Sequence, residues 1–187
     1  MIVMLDAGHG GKDPGAVNRG LRLTEAAINL SVAKKTREAL QKLGAACYLT
    51  RNSDVFVDLA ERARMSNALG ADLFISLHCN AAESDAAHGF ESYTSRGVTE
   101  ADAFNQILLD TWCATFPFQA VRAGGLKEAN FAVLRGTKAP AILIEMGFIS
   151  NAVEAKMLDS EEWQAHAAHT IAEAVKIWHA AKAGDKK

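Results

Sequence analysis

Short apolar runs alternate with stretches of helical spacing along nearly the whole chain, and few folds accept that pattern. Residues 2–5, 45–50, 72–77, 90–93, 131–134 and 141–144 read as strands. Between them lie helices with recognisable ends. Thr24 can cap a helix whose apolar positions Ala26, Leu30, Ala33 and Leu40 keep helical spacing until Gly44. Residues 59–69 form a second helix stopped by Gly70, and residues 99–115 a third. Trp163, Ala167, Ile171, Ala174 and Trp178 are the apolar stripe of a long final helix. The run 72–77 is almost continuously apolar, as expected of a strand covered on both faces. The pattern predicts an α/β fold: a single domain with a twisted, mostly parallel sheet of about six strands and helices packed on both faces.

At 187 residues and 49% hydrophobic content, the chain can bury one core of that kind. Residues 1–182 are expected to form the domain and 183–187 a frayed tail. A formal net charge of −2, with acids and bases interspersed, leaves no footprint for nucleic acid and no basic helix for a membrane surface. No apolar run approaches a membrane span, and Met1 leads straight into a strand without a signal-peptide pattern. Cys47, Cys79 and Cys113 are widely spaced and odd in number, which argues against a disulfide framework. Cys47 and Cys113 are expected to pack as small hydrophobes.

Three of the strands end on residues able to do chemistry: the first at His9, the third at His78 and the last at Glu145. In open α/β sheets the binding crevice lies beyond the carboxyl ends of the strands, so these side chains can converge. His9 sits within Asp6-Ala7-Gly8-His9-Gly10-Gly11, where glycines permit a sharp turn and close approach of a ligand. Glu25 falls in the first turn of the first helix, on the same edge of the sheet. A carboxylate there is also favoured by the helix dipole alone. His78 lies in Ser76-Leu77-His78-Cys79-Asn80, and strand alternation puts Cys79 on the opposite side, so it is a poor ligand. Two histidines and a carboxylate with an open fourth position make the arrangement of a catalytic zinc site, and a further carboxylate, Glu145, can then act as its base. His166, His169 and Glu173 share a helix face opposite the apolar stripe and read as a solvated surface. His88 is placed at the crevice rim. The glycines at 8–11 do not cradle a phosphate, because no Gly-Lys-Ser/Thr follows.

Taken in order, these motifs resemble the zinc-dependent N-acetylmuramoyl-L-alanine amidases of bacterial and phage cell-wall lysis. The resemblance runs through Asp6 to Gly11 with Asp13-Pro14-Gly15-Ala16, Thr24-Glu25, and Leu49-Thr50-Arg51 with Asp54, Leu59 and Arg62. It continues in the segment from Phe74 to Ala81, Gly89-Phe90-Glu91, the segment from Asn130 to Arg135, and that from Pro140 to Glu145 with Gly147 to Asn151. It implies zinc held by His9, Glu25 and His78, with Glu145 as acid/base, and cleavage between the lactyl group of N-acetylmuramic acid and L-alanine. Asn80 and Lys127 are candidate substrate contacts. Cys79 departs from the small residue expected in the family, with its side chain expected to point outward.

Some family members carry a helical insertion covering the zinc. Here residues 94–99 pass at once into the next helix, so a site open without an obligatory activator is expected. The implied partner is peptidoglycan, with no nucleic acid and no membrane insertion. The implied place of action is the cell wall, periplasmic or extracellular, for an excised mature domain or a lysin released from the cytoplasm. Rival readings are a zinc carboxypeptidase, which needs a basic pocket for a terminal carboxylate, and a non-catalytic wall-binding module of the same fold.

Overall fold

The computed structural model describes residues 1–119 and 121–184. In chain order the elements are β1 (Ile2–Ala7), β2 (Val17–Asn18), β3 (Leu23–Thr24), α1 (Glu25–Lys42), β4 (Ala46–Leu49), α2 (Leu59–Leu69) and β5 (Leu73–Asn80). Then follow β6 (Phe90–Thr94), α3 (Ala101–Thr115), β7 (Val121–Glu128), α4 (Ala132–Gly136), β8 (Ala141–Phe148), α5 (Ala152–Asp159) and α6 (Glu161–Gly184). Among the described residues, no helix is long and apolar enough to cross a membrane.

Six strands form one sheet in the order β4-β1-β5-β8-β6-β7, while β2 and β3 form a small antiparallel ladder. Pairing is parallel from β4 through β8; β6 runs antiparallel to β8, and β7 is parallel to β6. The helix ends follow local chemistry. Thr24 accepts a hydrogen bond from the Ala27 N–H at the start of α1, and Asp58 does the same for Ala60 at α2. Gly70 closes α2 in the left-handed region that a glycine adopts cheaply.

Strand alternation divides the sheet into unequal faces. Val3, Leu5, Ile75, Leu77, Ile142 and Ile144 enter the large core under α1, α3 and α6. Met4, Phe74 and Leu143 point the other way, into a small cluster with Val133 and Leu134 of α4 and Met65 of α2. The thin face matters most. His78 and Glu145 share its parity, so the polar ends of β5 and β8 emerge where little covers them.

One expected strand is a helix. Phe131 is the extended N-cap of α4 and residues 132–134 open it, while the sixth strand is β7, upstream. A short apolar run cannot be assigned by periodicity alone, and here Val133 and Leu134 bury together as one helical turn. The β7 sequence, with Gly124, Gly125 and three charged residues, has a weak strand signature. It is an edge strand, held by its backbone ladder to β6. Strands β5 and β8 also run past residues 77 and 144, so His78 and Glu145 lie within them, with a bulge after His78. Helix α6 includes Ala183 and Gly184, expected as tail; residues 185–187 lie outside the described residues. Cys47 is buried as expected, but Cys113 is exposed. Cys79 is also buried, packed against Asn29 of α1 rather than pointing outward.

Candidate active site

The segment after β1 is held by two buried arginines. Arg51 donates to the carbonyls of Ala7, Gly8 and Ala26 at 2.7–2.9 Å. Arg62 donates to the carbonyls of Val57, Ala7 and His9 and to the Asp6 carboxylate, all within 2.9 Å. Asp6 is fully buried and also accepts from the hydroxyls of Thr50 and Ser76. So clamped, the backbone turns at His9, whose φ is +62°, a conformation costly for a non-glycine residue and sustained only by its surroundings. Gly8 is required by contact: a Cβ there would collide with the imidazole of His78.

His9, Glu25 and His78 meet, with ligand atoms all within 4.8 Å of one another. Glu25 Oε1 lies 3.2 Å from His9 Nε2 and 2.8 Å from His78 Nδ1. The backbone N–H of Cys79 also donates to Oε1, while Oε2 accepts from the Ala16 N–H. Asp13 Oδ2 sits 2.8 Å from His9 Nδ1, fixing the ring so that Nε2 faces the cluster. At Gly15 a Cβ would come within 2.6 Å of Glu25 Oε2 and 2.7 Å of the His9 ring, so the cradle has room only for glycine.

Electrostatics follow from this packing. The hydrogen bond to Glu25 lifts the His9 pKa to about 9 against the opposing effect of burial, with Asp13 assisting. Burial works to raise Glu25, but hydrogen bonds from His78 and His9 outweigh it and hold the carboxyl well below the usual range. The cluster therefore has a strong appetite for positive charge. Two imidazole nitrogens and a carboxylate, partly open to solvent, are a donor set that can hold a divalent cation.

Glu145 lies opposite His78 in the β5–β8 register and opposite Glu91 in the β8–β6 register. Burial, reinforced by the charges of Glu25 and Glu91, pushes its carboxyl up to about 7. Its Oε2 is buried without a hydrogen-bond partner among the described residues. A crevice of about 490 Å³ opens over His9, His78 and Glu145, walled by Phe56 and Leu59 on one side and Phe131 on the other.

Asn80 and Lys127 are both drawn to Glu91. Asn80 Nδ2 donates to its Oε2 at 3.1 Å and Lys127 Nζ to its Oε1 at 2.7 Å. His88 is not at this rim; it lies exposed in a separate groove with Phe116, Phe118 and Met157. His166 and His169 are exposed on α6, as a solvated face requires. Sequence reading assigned no role to Asp13, Arg51, Arg62 or Glu91. Each belongs to a motif of the family resemblance, yet only their partners reveal what they do.

The fold and site together are those of an amidase catalytic domain, a class that comparison with known proteins narrows. Residues 3–177 match the family model for N-acetylmuramoyl-L-alanine amidase. The chain is 35% identical to N-acetylmuramoyl-L-alanine amidase AmiC of Neisseria meningitidis, over 93% of this chain and 51% of that protein. It is 38% identical to an endolysin of Bacillus phage SPP1, over 93% of this chain and 64% of the endolysin. The chain thus spans about half to two thirds of these curated relatives. An amidase structure from Clostridium difficile 630 superposes with a TM-score of 0.93 at 31% identity, covering 97% of each chain. The CwlD amidase of Clostridioides difficile, solved in complex with the GerS lipoprotein, gives 0.90 at 26% identity, covering 96% of this chain and 98% of that one. The chain belongs to the N-acetylmuramoyl-L-alanine amidase family.

Proposed function

We propose that this domain hydrolyses the amide between the lactyl group of N-acetylmuramic acid and L-alanine in peptidoglycan, with zinc held by His9 Nε2, Glu25 and His78 Nδ1. The observation that carries this reading is the His-Glu-His cluster beside Glu145, in a cradle that side chains at Gly8 and Gly15 would fill. Zinc held there would supply Lewis acidity for the scissile carbonyl and would lower the pKa of a water toward about 7.

Glu145 does the proton work. Its carboxyl, with a proton affinity matched to neutral pH and an unpartnered oxygen, accepts a proton from the attacking water. As the carbon–nitrogen bond breaks, it returns that proton to the departing L-alanine nitrogen. The products are a free lactyl carboxylate and a new amino terminus. Asp13 keeps His9 in the tautomer that presents Nε2. Asn80 and Lys127 border the substrate groove through Glu91.

Residues 95–100 join β6 to α3 directly, which supports a crevice open without an activating partner, although the related CwlD was solved with a lipoprotein bound. The expected place of action is the cell wall, in the periplasm or outside the cell. Mass spectrometry of purified peptidoglycan digested with and without chelator tests bond and metal together. Chelator-sensitive appearance of amino-terminal L-alanine is expected. Release of free amino acids from the stem's carboxyl end would indicate a carboxypeptidase instead. Zinc binding without turnover would indicate a wall-binding module, or an activator requirement if a partner restores cleavage.

A further inference from the structure

Beside Glu145 lies a second polar assembly that the hydrolytic chemistry does not use. Glu91, 2% exposed, faces the same side of the sheet as Glu145 because the two are directly opposed across an antiparallel pair. Its carboxylate accepts from side chains on three strands, among them Lys127 Nζ at 2.7 Å, the Tyr93 hydroxyl at 2.7 Å and Asn80 Nδ2 at 3.1 Å. A buried carboxylate so satisfied is a fixed support. What it supports is Lys127, whose side chain stays 30% exposed and whose ammonium lies 5.7 Å from the centre of the Tyr93 ring. An ammonium carries three donors, and among the described residues Lys127 commits one of them, to Glu91.

We infer that Lys127 is the anchoring point for a carboxylate of the substrate, held in place by Glu91, Tyr93 and Asn80. This rests on the proposed amidase reading and adds a direction to it. Lys127 lies one strand pair beyond Glu91, on the side of Glu145 away from the His-Glu-His cluster. The leaving stem peptide then runs from the scissile amide toward β7. In a stem whose second residue is D-glutamate joined through its side-chain carboxyl, the free α-carboxylate is the first anion past the scissile alanine. It is the first group along the stem whose charge matches a positioned ammonium. A carboxamide there offers no charge and wins a weaker hydrogen bond.

Two muropeptides that differ in this one group provide the test: N-acetylmuramoyl-L-alanyl-γ-D-glutamyl-L-lysine and its α-carboxamide. The zinc-loaded domain should show a kcat/KM roughly tenfold higher on the carboxylate form, the scale of one charge-assisted hydrogen bond. Lys127→Met should bring that ratio to within about twofold of unity, while Lys127→Arg keeps most of it. Added salt should erode the preference in the native domain by screening. Thermal melts establish that each variant is folded.

Equal rates on the two substrates in the native domain would overturn the inference and leave the amidase reading standing. So would a parallel loss on both substrates in Lys127→Met, which would make the lysine only a brace for Glu91. Failure of the native domain to cleave either muropeptide at the lactyl–alanine bond would instead refute the proposed function, and the inference with it.

Discussion

Replacing Arg62 with methionine tests whether the site is held up by its buried ion pair. The guanidinium makes four hydrogen bonds: to Val57 O, Asp6 Oδ1, Ala7 O and His9 O. Methionine fills similar volume and makes none of them. Asp6, 0% exposed, keeps only the hydroxyls of Thr50 and Ser76, and its charge loses the one cation paired with it among the described residues. Stranding a buried charge costs about 3–5 kcal/mol, a fifth or more of the roughly 5–15 kcal/mol that holds a typical domain together. The His9 carbonyl is released at the same time, so zinc affinity should fall by about tenfold or more. Urea unfolding followed by the fluorescence of Trp112, Trp163 and Trp178, all buried, reads the first effect. Chelator competition reads the second. Adding Asp6→Asn to Arg62→Met removes the stranded charge and should recover at least about 2 kcal/mol. A loss below about 1 kcal/mol in the single variant, or strict additivity in the double one, would refute the argument that this pair is structurally coupled.

Gly8, His9 and Glu145 carry further expected outcomes. Gly8→Ala places a methyl against the His78 ring, so bound zinc measured by atomic absorption should drop sharply while far-ultraviolet dichroism is kept; full zinc occupancy would contradict the close-approach argument. In metal-free protein His9 has its pKa raised from 6.5 to about 9, so zinc must displace a proton below that pH. Calorimetry in buffers of different ionisation enthalpy should show proton release and an apparent affinity that climbs with pH up to about 9. By the same linkage, the stability His9 contributes to the metal-free fold is fully present below pH 6.5 and lost as pH rises through about 9. Glu145→Gln should keep zinc yet lose about 10²–10⁴ in turnover. Because the Glu145 carboxyl is raised from 4.5 to about 7, the metal-free fold loses stability as pH rises between those values and carries the full penalty above them. The metal-free glutamine variant should therefore be more stable than the native protein at pH 8, and an unchanged urea midpoint there would argue against burial as the cause.

The site was more legible in the sequence than the sheet around it. His9, Glu25, His78 and Glu145 could be named because glycine spacing, a helix start and strand ends are local signals that share one edge of an α/β sheet. The sixth strand could not be named. Residues 131–134 carry the apolar run, but Val121–Glu128 carries the backbone ladder, and an edge strand is chosen by an available neighbour more than by its own composition.

Partners are the other thing local pattern does not encode. Arg62 and Asp6 are 56 residues apart, Glu25 and His78 53, and Lys127 and Glu91 36. The chain by itself determined most of the alternation of strands and helices, the apolar faces, and which side chains have the chemistry for a metal hydrolase, since periodicity and residue type are properties of short segments. Only the tertiary structure decided that two arginines hold the His9 turn, that Asp13 orients its ring, and that Glu91 binds both Asn80 and Lys127. Those facts depend on sheet register, which sets distant residues opposite one another and gives Asp6, Glu25 and Glu91 partners the sequence does not name.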